Sequence, residues 1–334
     1  MISNLAVIWA FLLALAVMMY VVLDGFDLGI GILFPTTRNE AERDQMMNSV
    51  APFWDGNETW LVLGGGGLFV AFPLAYSILM PALHIPILVM LLGLILRGVA
   101  FEFRWVAKPN HRWWDRAFFF GSIVAAFAQG CVLGGLLQGV KTENGEFVGG
   151  SFDWLTPFSI FCGLGLVAGY AHLGACWLNH KAVGPLQERG RRYAKGLLIV
   201  LLLFIALVSL WTPLKFPRIA ERWFSTGNLI FLWPVPLVTI LLGYLAYESL
   251  RRGRELVPFA ASVGLFILSA IGLGISLYPY VVPPSLSIFD AAAAPSSLIF
   301  ALFGVLFVLP LVLGYTVFVY WTFQGKVRPG EGYH

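Results

Sequence analysis

Nine stretches of about twenty predominantly apolar residues follow one another along this chain, separated by short charged segments, and they constrain its fold more than any motif. They run at 5–33, 57–79, 82–104, 117–140, 155–178, 196–213, 228–249, 256–279 and 295–323. A helix of about 20 residues crosses the hydrocarbon core of a bilayer, and in that medium every backbone amide and carbonyl has to be satisfied within the protein. Only 12% of the residues are charged and 59% are hydrophobic, against roughly 25% charged in soluble domains. The expected fold is therefore an all-α polytopic membrane protein, residues 1–334 forming a single integral membrane domain. The first stretch has neither a basic segment before it nor a small-residue cleavage pattern after it, so it reads as a retained first helix.

The region from Thr59 to Phe103 is too long for one span. The text MPALHIP at 80–86 carries two prolines around His84, and proline both removes an amide donor and disfavours helix in the residue before it. A turn is predicted there. With nine spans, the helix ends and loops fall on alternating sides, and seventeen of the twenty-one Lys and Arg residues lie on one of them. The other side holds Lys141, Lys215, Arg218 and Arg222. The positive-inside rule then puts the amino terminus outside and the carboxyl terminus in the cytoplasm.

Carboxylates cluster near the cytoplasmic ends of the first three spans. YVVLDGFDLGIG (20–31) holds Asp24 and Asp27 on one helix face, and APFWDGNETW (51–60) brings Asp55 and Glu58 to the start of the second span. LRGVAFEFR (96–104) adds Arg97, Glu102 and Arg104. A charge at the centre of a membrane helix costs roughly 2.5–3.5 kcal/mol, so these groups are expected to face protein or a water-filled cavity, where they can pass protons. The competing reading is structural: Asp55 and Glu58 cap a helix, and Arg97 pairs with Asp27 to lock the fold. Just beyond lies GGGG, Gly64, Gly65, Gly66 and Gly67. Consecutive glycines weaken a helix by about 1 kcal/mol each, which points to close packing against a neighbour.

Other chemistry finds little support. Cys131, Cys162 and Cys176 form no C-x-x-C pair and lie in apolar runs, as core residues do. Of His84, His111, His172, His180 and His334, only His172 falls well inside a span, and a hydrogen-bonded core histidine is the simpler reading than a haem ligand. No nucleotide loop, zinc motif or nucleophile elbow is present. No metal site, nucleic-acid surface or catalytic centre is expected on this chain.

DGFDLGIG followed by SVAPFWDGNETW, then LRGVAFEFR, LLQGV (136–140), YPYVVPPS (278–285) and FDAAAAPSSL (289–298), resembles subunit II of the cytochrome bd-type quinol oxidases, including the cyanide-insensitive branch. The resemblance spans the whole chain in order. It implies two four-helix bundles plus one extra helix, in the bacterial cytoplasmic (inner) membrane. It also implies a partner, subunit I, that carries low-spin haem b, high-spin haem b and haem d or a b-type equivalent. The complex would oxidise quinol, reduce dioxygen to water and build a proton gradient. Asp55 matches the family carboxylate at the cytoplasmic proton entry, and Trp60 the aromatic at the mouth of an oxygen path from the lipid. From the charge pattern, not the resemblance, Asp27, Glu58, Asp24 and Glu102 are the candidates to support the proton path, with Arg97 and Arg104 as ion-pair partners. The resemblance leaves open a bound quinone and a small third transmembrane subunit. The short loop between spans 6 and 7 and the short tail match the compact cyanide-insensitive type. Two other readings are a proton-coupled transporter, disfavoured because the acids gather in the first three spans only, and a purely structural scaffold subunit.

Overall fold

The computed structural model describes residues 2–107 and 111–330, so Lys108 and His334 lie outside the described residues. The chain is almost entirely helical: α1 (Ile2–Leu33), α2 (Glu40–Asn48), α3 (Trp54–Ala71), α4 (Pro73–Val106), α5 (Arg112–Gln138), α6 (Pro157–Lys181), α7 (Gly184–Lys215), α8 (Pro217–Phe224), α9 (Thr226–Leu232), α10 (Pro234–Arg251), α11 (Leu256–Leu277) and α12 (Pro295–Thr322). Two antiparallel two-stranded ribbons, Thr142–Glu143 with Glu146–Phe147 and Tyr280–Val282 with Leu286–Ser287, close loops at one end. Among the described residues, eight helices are long and apolar enough to cross a membrane. The ninth expected span is α3, whose glycines and acids dilute its apolarity. It lies antiparallel along α1, with Asn57 against Asp27 at one end and Gly67 against Leu13 at the other.

Helices α1, α3, α4 and α5 make one bundle and α6, α7, α10 and α11 a second, joined through α1 and α5 against α6; α12 lies outside both, touching α1 and α3. This is the expected all-α polytopic arrangement.

The predicted turn at 80–86 is not where the chain breaks. Phe72 leaves the helical region (φ −134°, ψ 63°) and Pro73 opens α4 at its first turn, while Pro81 and Pro86 are carried inside one 34-residue helix. Membrane helices tolerate proline where neighbouring structure satisfies the backbone groups it frees, and Ala82 and Leu83, between the two prolines, are buried in one cluster with Val140 and Val282. At Pro73, by contrast, the missing amide falls where a helix start leaves it unused. At 1.5 Å per residue α4 is about 50 Å long, longer than a hydrocarbon core of about 30 Å, so it extends beyond it.

The tightest of the glycine contacts falls in DGFDLGIG. A Cβ on Gly29 would lie 1.9 Å from the Tyr170 carbonyl oxygen of α6, and one on Gly174 would lie 2.4 Å from the Gly29 backbone. Gly25 and Gly29, four apart, form the small-x3-small pattern that lets backbones touch in lipid. α1 and α6 thereby bring the two bundles together, with Phe26 stacked on Trp177 at 4.2 Å.

One end of the molecule collects the basic residues. Arg189 pairs with Glu42 at 2.5 Å and Lys326 with Glu255 at 2.7 Å, while the Lys181 ammonium donates to the carbonyls of Phe323 and Gly325. At the opposite end Ala293 N–H donates to the Ala71 carbonyl and Val140 N–H to that of Pro283.

Candidate functional site

Near the arginine-rich end of the first bundle, helices α1, α3 and α4 converge on one guanidinium. Arg97, on α4, is wholly buried and lies 2.5 Å from Asp24 Oδ1 of α1, which is equally buried. Its Nη2 lies 3.3 Å from Glu58 Oε2 of α3, and Trp54 presents its ring 5.9 Å from the guanidinium. The expected partner was Asp27, and the structure corrects this. Asp27, one turn along α1, instead accepts from Asn57 Nδ2 at 2.7 Å, and Asn57 also donates to the Leu23 carbonyl at 3.2 Å. The Tyr320 hydroxyl of α12 in turn donates to Asn57 Oδ1 at 3.1 Å. Oδ1 of Asp27 is buried with no hydrogen-bond partner among the described residues.

The acids grade from water to core. Asp55, in the first turn of α3, is exposed; the Glu58 side chain is 27% exposed; Asp24 and Asp27 are sealed. Residues three apart on a helix share a face, so Asp55 and Glu58 form successive steps on α3 toward Arg97.

Two residues expected in this cluster belong elsewhere. Glu102 is exposed and enters no ion pair among the described residues. Arg104 lies seven residues beyond Arg97, about 10 Å further along the helix, in a second network. There its Nε donates to Asp115 at 2.7 Å and its Nη1 to Asp44 at 2.5 Å, with Glu40 3.5 Å from Nη2. Arg43 takes the other Asp115 oxygen at 2.7 Å, and His111 contacts Glu40 at 2.8 Å. Burial alone would raise the Glu40 carboxyl, but the hydrogen bond with His111 and the charges of Arg104 and Arg43 hold it below its ordinary range. Glu40, His111 and Asp115 bring potential ligand atoms within 4.8 Å of one another. Both Asp115 oxygens are already bound by arginines, so the group serves as an ion-pair cluster.

Trp60 packs on α1 beside Ala16 and Tyr20, wholly buried, with its indole N–H unpartnered among the described residues. Together with Leu12, Leu13, Gly67, Val305 and Leu309 it lines an apolar cavity of about 10 Å³ between α1, α3 and α12. That is about one water-sized sphere. Of the four glycines, Gly67 packs closely, since a Cβ there would meet Leu13 at 2.6 Å; Gly64 makes ordinary contact with Val17. Gly65 and Gly66 face open space within the chain, and the expected close packing does not extend to them.

A haem ligand would need a free, buried imidazole nitrogen. His172 is the only wholly buried histidine among the described residues, and both its nitrogens are engaged, Nδ1 with the Ala194 carbonyl at 3.1 Å and Nε2 with Ser262 Oγ at 2.7 Å. It ties α6 to α7 and α11, and the residues around it do not fit an iron site.

Asn57, Tyr320, Asp44 and Asp115 escaped the sequence reading. Asn57 stands inside WDGNET and was overshadowed by its acidic neighbours. Asp44 and Asp115 lie in segments that read as solvated loops. Nothing local marks Tyr320, 263 residues from its partner.

Comparison with known proteins follows the same lines. Residues 5–323 match the family described as cytochrome bd terminal oxidase subunit II. The chain is 30% identical to cytochrome bd-I ubiquinol oxidase subunit 2 of Escherichia coli K12 over 96% of its own length and 94% of the relative. It is 29% identical to cytochrome bd ubiquinol oxidase subunit 2 of Bacillus subtilis over 98% of each chain. Its fold is similar to a chain in the structure of bd oxidase from Geobacillus thermodenitrificans, with a TM-score of 0.77, 20% identity, and 97% of this chain and 100% of that one covered. With nearly the whole length matched, and with the acid-lined α1–α3–α4 junction built from the segments that carry the resemblance, the chain belongs to the cytochrome bd terminal oxidase subunit II family, as one component of a terminal oxidase complex.

Proposed function

We propose that this chain admits protons from the cytoplasm to the oxidase complex and offers oxygen a path from the lipid, while a haem-bearing subunit I carries out the redox chemistry. The observation that carries this reading is the graded series of carboxylates from exposed Asp55, through half-buried Glu58, to buried Asp24 and Asp27 around Arg97. A proton picked up at the surface meets acceptors in increasingly dry surroundings, and the fixed positive charge of Arg97 makes negative charge tolerable there. The partnerless Asp27 oxygen is a place for a proton to rest. Glu102 has no part in this series.

The apolar cavity beside Trp60 supports the second role. Oxygen is apolar and concentrates in hydrocarbon, and the cavity lies among Leu, Ala and Gly side chains against the outer helix α12. The haems, when bound in the complex, supply the oxygen-reducing chemistry; this chain's residues hold and move protons and line the gas path. The relatives are ubiquinol oxidases by name, and quinol is accordingly the proposed electron donor. Multi-pass insertion in the bacterial inner membrane follows from the helices and the relatives. The basic end is proposed to face the cytoplasm.

The test is Asp55→Asn in the assembled complex. Assembly and haem content are expected to stay at wild-type level while quinol oxidase turnover falls at least tenfold, on the order of the 10²–10⁴ contributed by a positioned proton-transfer group. Unchanged turnover would overturn the proton role. Loss of haem or of the partner subunit would favour the scaffold reading instead.

A further inference from the structure

Four basic residues lie at the end of the molecule that is otherwise poor in them, and one, Lys141, is paired with Asp153 at 3.1 Å. The other three, Lys215, Arg218 and Arg222, gather on the elbow between α7 and α9, and none makes an ion pair among the described residues. Lys215 reaches Gln138 Oε1 at 3.3 Å across the rings of Phe158 and Phe216. Arg218 Nη2 donates to the Leu137 carbonyl at 2.9 Å, while its Nη1 is shielded from solvent without a hydrogen-bond partner. Arg222 lies over the Tyr278 ring at 5.7 Å. Glu221, on the same helix, is exposed and pairs with none of them.

The helix that carries two of them has the build of an interfacial one. In PRIAERWF, Ile219 is buried, Trp223 donates its indole N–H to Ser276 Oγ at 2.9 Å, and Arg218 and Arg222, one turn apart, share the polar face. A short helix with an apolar side, a basic side and an interfacial tryptophan lies in the plane of the membrane at headgroup level. Beside it is an open cavity of about 400 Å³ formed by Arg222, Asn228, Leu232, Gly274, Ile275 and Tyr278. Its lining is a guanidinium and an amide above an aliphatic and aromatic wall.

We propose that the Lys215–Arg218–Arg222 elbow binds the phosphate headgroup of an anionic phospholipid, whose acyl chain lies along Leu232 and Ile275. The headgroup supplies the negative complement that no carboxylate among the described residues provides. The apolar wall beneath the guanidinium selects a lipid over free phosphate.

The experiment uses the assembled complex, stripped of lipid in neutral detergent and titrated with phosphatidylglycerol or phosphatidylcholine, with bound lipid counted by native mass spectrometry. Wild type is expected to retain phosphatidylglycerol in preference to phosphatidylcholine. Each of Lys215→Gln, Arg218→Gln and Arg222→Gln should weaken retention about fivefold, the effect of one basic residue near an anionic headgroup. Lys141→Gln, whose ammonium is already paired with Asp153, should leave it unchanged. Arg222→Gln, the one of the three that lines the cavity, decides the matter if Lys215→Gln or Arg218→Gln does not assemble. Equal retention of the two lipids, or wild-type retention in the Gln variants, would overturn the proposal, as would displacement of phosphatidylglycerol by millimolar inorganic phosphate.

Discussion

Arg97 and Arg104 lie two turns apart on the same face of the same helix, both wholly buried, yet they do different things. Arg97 is enclosed by spanning helices and answered by one sealed carboxylate and one half-sealed one. Arg104, two turns nearer the end of α4, gathers Asp44 from α2, Asp115 from α5 and Glu40, whose side chain is 53% exposed. In the first case nothing but protein can satisfy the charge, so the pair is closed and a missing member leaves a buried, unanswered ion. In the second, water shares the load, and the arginine works as a staple between the α2 segment and the α4–α5 corner. The exposure of its partners, more than the residue type, decides what an arginine does here.

The comparison is sharpest on removal of each arginine. Arg97→Met should destabilise the complex by about 3–5 kcal/mol, because Asp24 is left buried and unpaired, and Asp24→Leu added to it should restore most of the loss. Thermal unfolding of the purified complex followed by helical circular dichroism measures both, and a double variant no better than the single would remove the closed-pair description. Arg104→Met should cost less, about 1.5–3 kcal/mol, the range for hydrogen bonds to charged groups. Raising the salt should weaken the wild type at this corner and spare the Arg97 site, as read by protease cutting between α1 and α3. Equal salt sensitivity at the two sites would break the contrast.

The smallest effect is that of pH at Glu40. Its folded-state carboxyl is held below the ordinary value, so its contribution is complete above the unfolded value of about 4.3 and is lost as pH falls through the lower folded one. For so exposed a group the effect is under about 1 kcal/mol. Glu40→Gln should flatten the acid limb of proteolytic susceptibility at the α2 corner below about pH 4.3, and an unchanged limb would assign that limb to other carboxylates.

Much of this was legible in the residues. The apolar stretches exposed the spans, and DGFDLGIG with WDGNETW carried the family. The acids of α1 and α3 were correctly brought to one junction with Arg97. The break between α3 and α4 was misplaced because Pro81 and Pro86 drew the eye from Pro73, which stands at the start of α4 where the missing amide goes unused. Close packing was read from the run Gly64–Gly67, whereas Gly29 and Gly174 make the closest backbone approach and only Gly67 of the four is pressed by a side chain. A run of glycines places residues on every side of a helix; spacing by four, as in Gly25 and Gly29, puts them on one.

By itself the sequence determined that this protein lives in a membrane, which end is basic and which family it joins, since these depend on hydrophobic length, charge distribution and local motifs. Only the tertiary structure decided that Asp24 rather than Asp27 answers Arg97, that Arg104 and Glu102 stand apart from that site, and that Tyr320 reaches Asn57 across 263 residues. Pairing in a dry interior is set by the rotation and depth of packed helices, and a single turn of either changes which carboxylate meets which cation.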